Sequence, residues 1–500
     1  MDIHQDEVAL IAARVREFSD LQAPFRIYHG STNSTRQSQF RRDAIIDTSR
    51  LSNVLKVNTD TKTALVEPNV PMDGLVEVTL QYGLMPPVVM EFPGITVGGG
   101  FSGTSGESSS FRHGFFEQTV NWIEMVLPNG EVVTSSNTEN SDLFHGAASS
   151  FGTLGVTTLL ELQLVEAKTY VELTYHPVSG MREAMQKFED ASKDPSNDYL
   201  DGILFAQGRG VICTGRLTNV LKDGIKLQRF SRAQDPWFYR YAEKLIAEST
   251  GPITEAIPLV DYLFRYDRGA FWTGRYAFKY FLTPFNRITR WALDRFMRTR
   301  VMYHALHQSG VAKRYIVQDV AVPYPAADEF LKFLDGLFGF YPIWLCPLRL
   351  SQPTSRDVGP NQDMLLNFGV WGPGPKGLDR FVEANRTLEQ KVQELNGKKF
   401  LYAHAYYTEE EFWNIHDRKQ YDALRAKYHA TYLPSVYEKV KIDFPAEKKA
   451  MSESWVMWLL ALFWSIWPFS GIYGVLQVVI GGDYLLRRES TWNLKLKVKD

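Results

Sequence analysis

The sequence predicts an α+β fold in two parts with an apolar tail, and three observations carry that expectation. Residues 24 to about 165 alternate short strand-like runs with turn residues. From about Lys168 to Lys441, longer amphipathic helical patterns lie between strands, and from Trp455 to Gly482 no charged residue occurs. A chain of 500 residues exceeds what one core fills, so two or three domains are expected.

Taken in order, residues 1–20 place Val8, Leu10, Ile11, Val15 and Phe18 in an amphipathic pattern without the continuous apolar core of a signal peptide, so the chain is expected not to be secreted. Strands are expected over 44–47, 64–68 and 121–127, the last followed by a Pro128-Asn129-Gly130 turn and a returning strand at 131–134. The clearest early helix is 73–82, and the later ones are 181–192, 285–309 and 377–395. Residues 235–280 are rich in aromatics, and the arginine-bearing stretch from Tyr262 to Trp272 suits a cavity wall, a membrane surface or a plain core helix equally.

Composition narrows the function. Lys plus Arg, 55, nearly balances Asp plus Glu, 57, with no long run of one sign, which argues against a nucleic-acid partner. Cys213 and Cys346 are the only cysteines and lie far apart in sequence, so neither a disulfide framework nor a cysteine-rich metal site is expected, and a reducing compartment fits. The tail is longer than the roughly 20 apolar residues that cross a bilayer. Pro468, Ser470, Gly471 and Gly474 interrupt it, and basic residues flank both ends (Lys439, Lys441, Lys448 and Lys449 before; Arg487, Arg488, Lys495, Lys497 and Lys499 after). A single span would send one basic flank across the membrane, whereas a re-entrant or interfacial hairpin of 455–467 and 472–480 would not. A buried helix pair stays open as the third reading.

The most informative stretch is Glu91-Phe92-Pro93-Gly94-Ile95-Thr96-Val97-Gly98-Gly99-Gly100-Phe101-Ser102-Gly103-Thr104-Ser105-Gly106-Glu107-Ser108-Ser109-Ser110. Glycines let backbone N–H groups turn towards one anion and hydroxyls add donors, so a pyrophosphate is the natural guest. Gly98, Gly100 and Gly103 match a dinucleotide fingerprint, but the apolar helix that fingerprint requires does not follow. Two further small-residue loops, 29–35 and 151–157, bracket short strands.

On these loops the chain resembles the vanillyl-alcohol oxidase/p-cresol methylhydroxylase superfamily of FAD enzymes. Within it the delta-24-sterol reductase family is the nearest likeness, running from about Ile45 to Lys441. The likeness rests on Thr96-Val97-Gly98-Gly99, Gly106-Glu107-Ser108-Ser109-Ser110, Glu139-Asn140-Ser141-Asp142-Leu143-Phe144 and Gly152-Thr153-Leu154-Gly155. It extends to Val317-Gln318-Asp319 with Val322-Pro323, Tyr341-Pro342-Ile343-Trp344-Leu345-Cys346-Pro347, Leu401-Tyr402-Ala403 and Glu410-Glu411-Phe412-Trp413. The resemblance implies a PCMH-type two-part FAD-binding domain over 1–167, an α+β cap over 168–441 that returns to the flavin, and a membrane-associated tail over 442–500, apolar over 455–482.

By the same resemblance Thr96, Val97, Gly98, Gly99, Gly100, Phe101, Ser102, Gly103, Thr104, Ser105, Gly106, Glu107 and Ser108 form the FAD loop, with Gly152, Thr153, Gly155 and Val156 beside the isoalloxazine. Glycine stands at 94, near where some relatives tether flavin through a cysteine; His29 or His113 could tether singly, but a noncovalent FAD is expected, with NADPH as electron donor and no metal.

Reducing an isolated alkene needs acid as well as hydride, because no carbonyl polarises the double bond; hydride from reduced FAD would quench positive charge at the more substituted carbon. Read as a strand, residues 401–407 put Tyr402, His404 and Tyr406 on one face as candidate donors, with Asp319 and Glu410 as weaker ones. Relatives often place an aspartate where His404 stands. The expected activity is reduction of the C24–C25 bond of a sterol or related isoprenoid at a membrane, by family likeness the endoplasmic reticulum with the catalytic part facing the cytosol. A flavin oxidase of an alcohol or sugar and a noncatalytic membrane-anchored scaffold are the alternatives.

Overall fold

A computed structural model describes residues 2–29, 42–249, 251–309, 314–350, 364–442 and 467–481. The chain opens with a helix, Asp2–Asp20, that buries Val8, Ile11, Val15 and Phe18, while Leu10, counted on the same face from sequence, is 61% exposed. His4 anchors this helix through Nδ1 to Glu67 Oε1 at 2.9 Å.

The first part pairs Arg26–Tyr28 with Ile45–Asp47 in parallel and adds a five-stranded antiparallel sheet ordered Val54–Asn58, Thr63–Val66, Val156–Gln163, Val120–Val126 and Val132–Ser136. The expected strands at 44–47, 64–68, 121–127 and 131–134 correspond to four of these, each within two residues at either end, because alternating apolar residues fix the buried face. The helix expected over 73–82 runs Met72–Leu80.

An eight-stranded antiparallel sheet follows, in the order Ile253–Pro258, Tyr170–Val178, Arg209–Thr218, Tyr199–Ala206, Ile343–Arg349, Met364–Pro373, Tyr315–Pro323 and Lys398–Lys399. Strand alternation gives the sheet two cores. Trp344 and Cys346 join the core continuous with the first part; Ile343 and Leu345 pack with Phe188, Phe330 and Leu388 of helices Met181–Lys193, Ala327–Leu337 and Leu378–Glu394. One face of the sheet therefore closes over the first part and the other is shielded by helices.

The stretch from Tyr262 to Trp272 is interior. Asp201 accepts from Arg265 Nη2 at 2.8 Å, Tyr266 hydroxyl at 2.7 Å and Trp344 Nε1 at 3.1 Å, and the Arg265 guanidinium lies over the Tyr262 ring. The single helix expected over 285–309 is broken into Arg287–Ala292, a 3-10 turn Asp294–Met297, and Thr299–Ser309. A buried charge cluster explains the breaks. Asp294 accepts from Arg268 Nε at 2.7 Å and Arg298 Nη2 at 2.8 Å, and Asp267 receives the Thr299 amide at 3.1 Å, capping the last helix from outside.

The return, 400–442, comes back to the first part: Tyr421 donates to Thr153 Oγ1 at 2.8 Å and Tyr428 to Asp142 Oδ1 at 2.7 Å. The strand expected over 401–407 is not formed; these residues turn, with a bridge only at Ala405 to Lys441. Side chains take the backbone groups that strand pairing would use: Lys399 donates to the His404 carbonyl, Tyr437 to the Tyr407 carbonyl, and Glu389 accepts from the Tyr406 amide.

Of the apolar tail, 455–466 lies outside the described residues. The other expected arm is a 13-residue helix, Phe469–Gly481. At 1.5 Å per residue that is about 20 Å, short of the roughly 30 Å hydrocarbon core, and among the described residues no helix is long and apolar enough to cross a membrane. The described part of the tail thus does not by itself form a span. The helix is seated on the fold instead: Gly474 leaves room for Ala305 and Ser309, and Gly471 for Tyr280 and Phe281.

Candidate active site

A cavity of about 530 Å³ runs between the two parts. Its floor is glycine. Gly94, Gly98, Gly99, Gly103, Gly106, Gly152 and Gly155 all line it, together with Thr96, Ser102 and Ser105. At Gly103 an added Cβ would meet nothing nearer than Phe151 at 3.9 Å, so a larger residue would project into the space; at Gly98 it would lie 2.7 Å from Pro68 Cβ. Glycine is thus required on one side for packing and on the other for room.

The expected mode of anion binding is corrected in detail. The stretch folds as a short helix, Val97–Gly103, and its leading amides are engaged inside the protein: Val97 with Val70 carbonyl, Gly98 with Pro68 carbonyl, Gly99 with Thr96 Oγ1 and Gly100 with Thr96 carbonyl. Positive charge comes from elsewhere. Arg26 and Lys439 line the cavity, with His29 near Lys439, and Lys439 Nζ donates to Phe151 carbonyl at 2.6 Å, beside Gly152. Burial, with the Lys439 ammonium nearby, lowers the His29 pKa, and His29 Nδ1 has no hydrogen-bond partner among the described residues.

The opposite wall belongs to the cap. Asp319, on Tyr315–Pro323, accepts from Asn367 Nδ2 and Trp371 Nε1, each at 3.2 Å, and is hydrogen-bonded by Tyr402. Burial pushes this carboxyl up to about 6, against those three hydrogen bonds, which pull it down. Burial and the Asp319 charge push the Tyr402 phenol well above its ordinary value. Glu91 also lines the cavity; burial, with Glu107 adjacent, raises it well above the usual carboxylate range, and its Oε1 lacks a partner among the described residues. Between the cationic and acidic ends, Phe271, Met297, Val301, Tyr303, Trp344 and Trp371 make the walls apolar.

Of the residues singled out from sequence for the cofactor, Thr96, Gly98, Gly99, Ser102, Gly103, Ser105, Gly106, Gly152 and Gly155 face the cavity. Val97, Gly100, Phe101, Thr104, Glu107, Ser108, Thr153 and Val156 are buried behind it. Thr104 bonds Ser149, Glu107 receives Ser108 and Ser109, and Thr153 donates to Ser150 carbonyl. Tyr402 lines the cavity. His404 and Tyr406 are not brought to it: the His404 carbonyl accepts from Lys399 Nζ at 2.7 Å, and Tyr406 packs against Phe381. Glu410 lies in the first turn of the helix Glu409–Ile415, exposed. Sequence reasoning missed Arg26, Lys439, Glu91 and Tyr303. Lys439 had been counted only as a basic flank of the tail, and Glu91 opens the glycine stretch.

The hydroxyls, the glycine floor, the cationic end and the apolar walls fit a cofactor that joins a diphosphate to a flat ring, and the comparisons agree. Residues 4–136 match a family model described as an FAD binding domain, which makes the chain an FAD-dependent flavoprotein. It is 30% identical over 458 residues to the Delta(24)-sterol reductase of Homo sapiens, covering 88% of this chain and 86% of that one. To the Delta(24)-sterol reductase of Arabidopsis thaliana it is 30% identical over 81% of this chain and 78% of the relative, and to a Delta(24)-sterol reductase homolog of Caenorhabditis elegans 26% identical over 87% of each. The chain belongs to the Delta(24)-sterol reductase family, FAD-dependent oxidoreductases acting on CH–CH bonds.

Proposed function

We propose that the chain reduces the C24–C25 double bond of a sterol, or the equivalent bond of a related isoprenoid, with FAD held noncovalently and NADPH as the electron donor. The observation that carries this is one cavity with a cationic, glycine-floored end and a buried carboxyl–phenol pair, Asp319 and Tyr402, across apolar walls. Bound and reduced, FAD would supply hydride from N5. The protein supplies the rest.

Arg26 and Lys439, with Ser102, Ser105 and a neutral His29, hold the diphosphate end, so in this reading Gly152 borders the diphosphate and not, as the resemblance implied, the isoalloxazine. The walls exclude water, which would otherwise trap a developing cation. Asp319 and Tyr402 hold the proton that goes to the less substituted alkene carbon; a carboxyl near 6 is a far stronger acid than a buried phenol, so Asp319 is the donor and Tyr402 orients it. His404 and Tyr406 then act only by fixing the return segment. The same reading has the chain working at a membrane, that of the endoplasmic reticulum by family likeness, with the catalytic part on the cytosolic side.

The test is anaerobic. NADPH should bleach the flavin absorbance of the purified holoprotein, and Δ24-sterols should then restore it while gaining two hydrogens by mass. Bleaching by an alcohol and not by NADPH would instead identify an oxidase.

A further inference from the structure

The cavity continues beyond Asp319. Its lining passes over Met302 and Leu306 of Thr299–Ser309 to Phe281, Gly471 and Val475, and Phe281 is itself 37% exposed, so this end reaches the surface beside helix Phe469–Gly481. Large apolar side chains are exposed next in the chain to lining residues: Leu282 follows Phe281, Ile288 and Trp291 lie on Arg287–Ala292 just before Phe296 and Met297, and Ile472, Leu476 and Ile480 lie on the helix that bears Gly471 and Val475. The two segments are joined, since Trp467 Nε1 donates to Tyr280 carbonyl at 2.6 Å and Gly471 packs on Tyr280 and Phe281. An apolar patch of this kind around a cavity mouth marks an interaction surface.

Charge selects the partner. From 279 to 298 the exposed or half-exposed charges, Lys279, Arg287, Arg290 and Arg295, are all positive. The only acid of that stretch, Asp294, is buried and paired with Arg268 and Arg298. A two-fold contact between copies would set these cations against one another, whereas anionic lipid headgroups neutralise them while the acyl region receives the apolar side chains.

We propose that this face docks on an anionic bilayer surface, with Ile288, Trp291, Leu476 and Ile480 in the interface, so that an apolar substrate enters the cavity mouth directly from the lipid. The proposal rests on the reading above that the substrate is a lipid. Its test uses full-length holoprotein with vesicles of phosphatidylcholine, with and without phosphatidylserine, and the double variant Ile288→Glu, Trp291→Glu.

Wild type should co-sediment with phosphatidylserine vesicles, less so at high salt. The variant should keep its flavin and its turnover of sterol presented in cyclodextrin, while its KM for vesicle-borne sterol rises by about tenfold or more. Wild type that stays in the supernatant, or a variant that uses vesicle-borne sterol as wild type does, overturns the proposal. So does a wild-type dimer that the variant breaks into monomers without vesicle binding. Failure of wild type to reduce cyclodextrin-borne sterol would sink the proposed activity instead, whatever the vesicles show.

Discussion

The Lys439 ammonium donates to the Phe151 carbonyl at 2.6 Å, with Phe151 in the left-handed region at φ 53 and Gly152 following at φ 71. The far end of the cap's return therefore holds the turn that borders the proposed flavin, and its charge stands at what is proposed as the diphosphate end. Lys439→Met keeps the apolar stem and removes the charge. Retained FAD, read from absorbance after dialysis, should fall with a Kd increase of about tenfold, the scale of one charge-assisted hydrogen bond. Equal flavin content in variant and wild type would remove Lys439 from the cofactor site.

That lysine also shows where sequence reading stops. Strands such as Val120–Val126 and Thr63–Val66 were legible because one face is buried, and period-two alternation marks that face. The glycine floor was legible because glycines so dense have few other uses. What was not legible depends on contacts across long sequence separations: Asp267 capping Thr299 breaks an otherwise continuous helical pattern, and residues 401–407, strand-like by alternation, are held as a turn by Lys399 and Tyr437. His404 was chosen by its side-chain chemistry, yet the structure uses its carbonyl. Asp319 ranked lower because a carboxylate in a strand is unremarkable until three donors converge on it.

Asp201 lies at the centre of the cap sheet, and its partner Arg265 is 1% exposed. Asp201→Ala leaves a buried guanidinium without its carboxylate and takes an acceptor from Tyr266 and Trp344. Breaking one side of a buried pair costs roughly 3–5 kcal/mol. Urea denaturation of the holoprotein should show a loss of that size; a loss under about 1 kcal/mol would mean the pair is not a stability determinant.

Glu117 gives a pH dependence of stability. Burial pushes its carboxyl from 4.5 up to about 7, partly offset by the Lys398 charge, and its Oε2 has no partner among the described residues. Because the folded pKa is raised, the group's favourable contribution is complete below 4.5 and is lost as pH rises through about 7. Glu117→Gln cannot ionise. Its Tm should therefore exceed that of wild type at pH 8, with the gap closing towards pH 5; a gap independent of pH would count against the shifted carboxyl.

Asp319 ties the chemistry to a measurable profile. A carboxyl that titrates near 6 donates a proton only in its neutral form, so log kcat for sterol reduction should fall with unit slope as pH rises above about 6. Asp319→Asn should lower kcat by about 100-fold or more and flatten that limb, while NADPH still bleaches the flavin at the wild-type rate. Tyr402→Phe separates orientation from donation. The Tyr402 hydrogen bond lowers the Asp319 pKa, so its loss should move the descending limb to higher pH while kcat falls less than in Asp319→Asn. A limb that stays in place in Tyr402→Phe, or survives in Asp319→Asn, would assign the proton to another group, with buried Glu91 the next to replace.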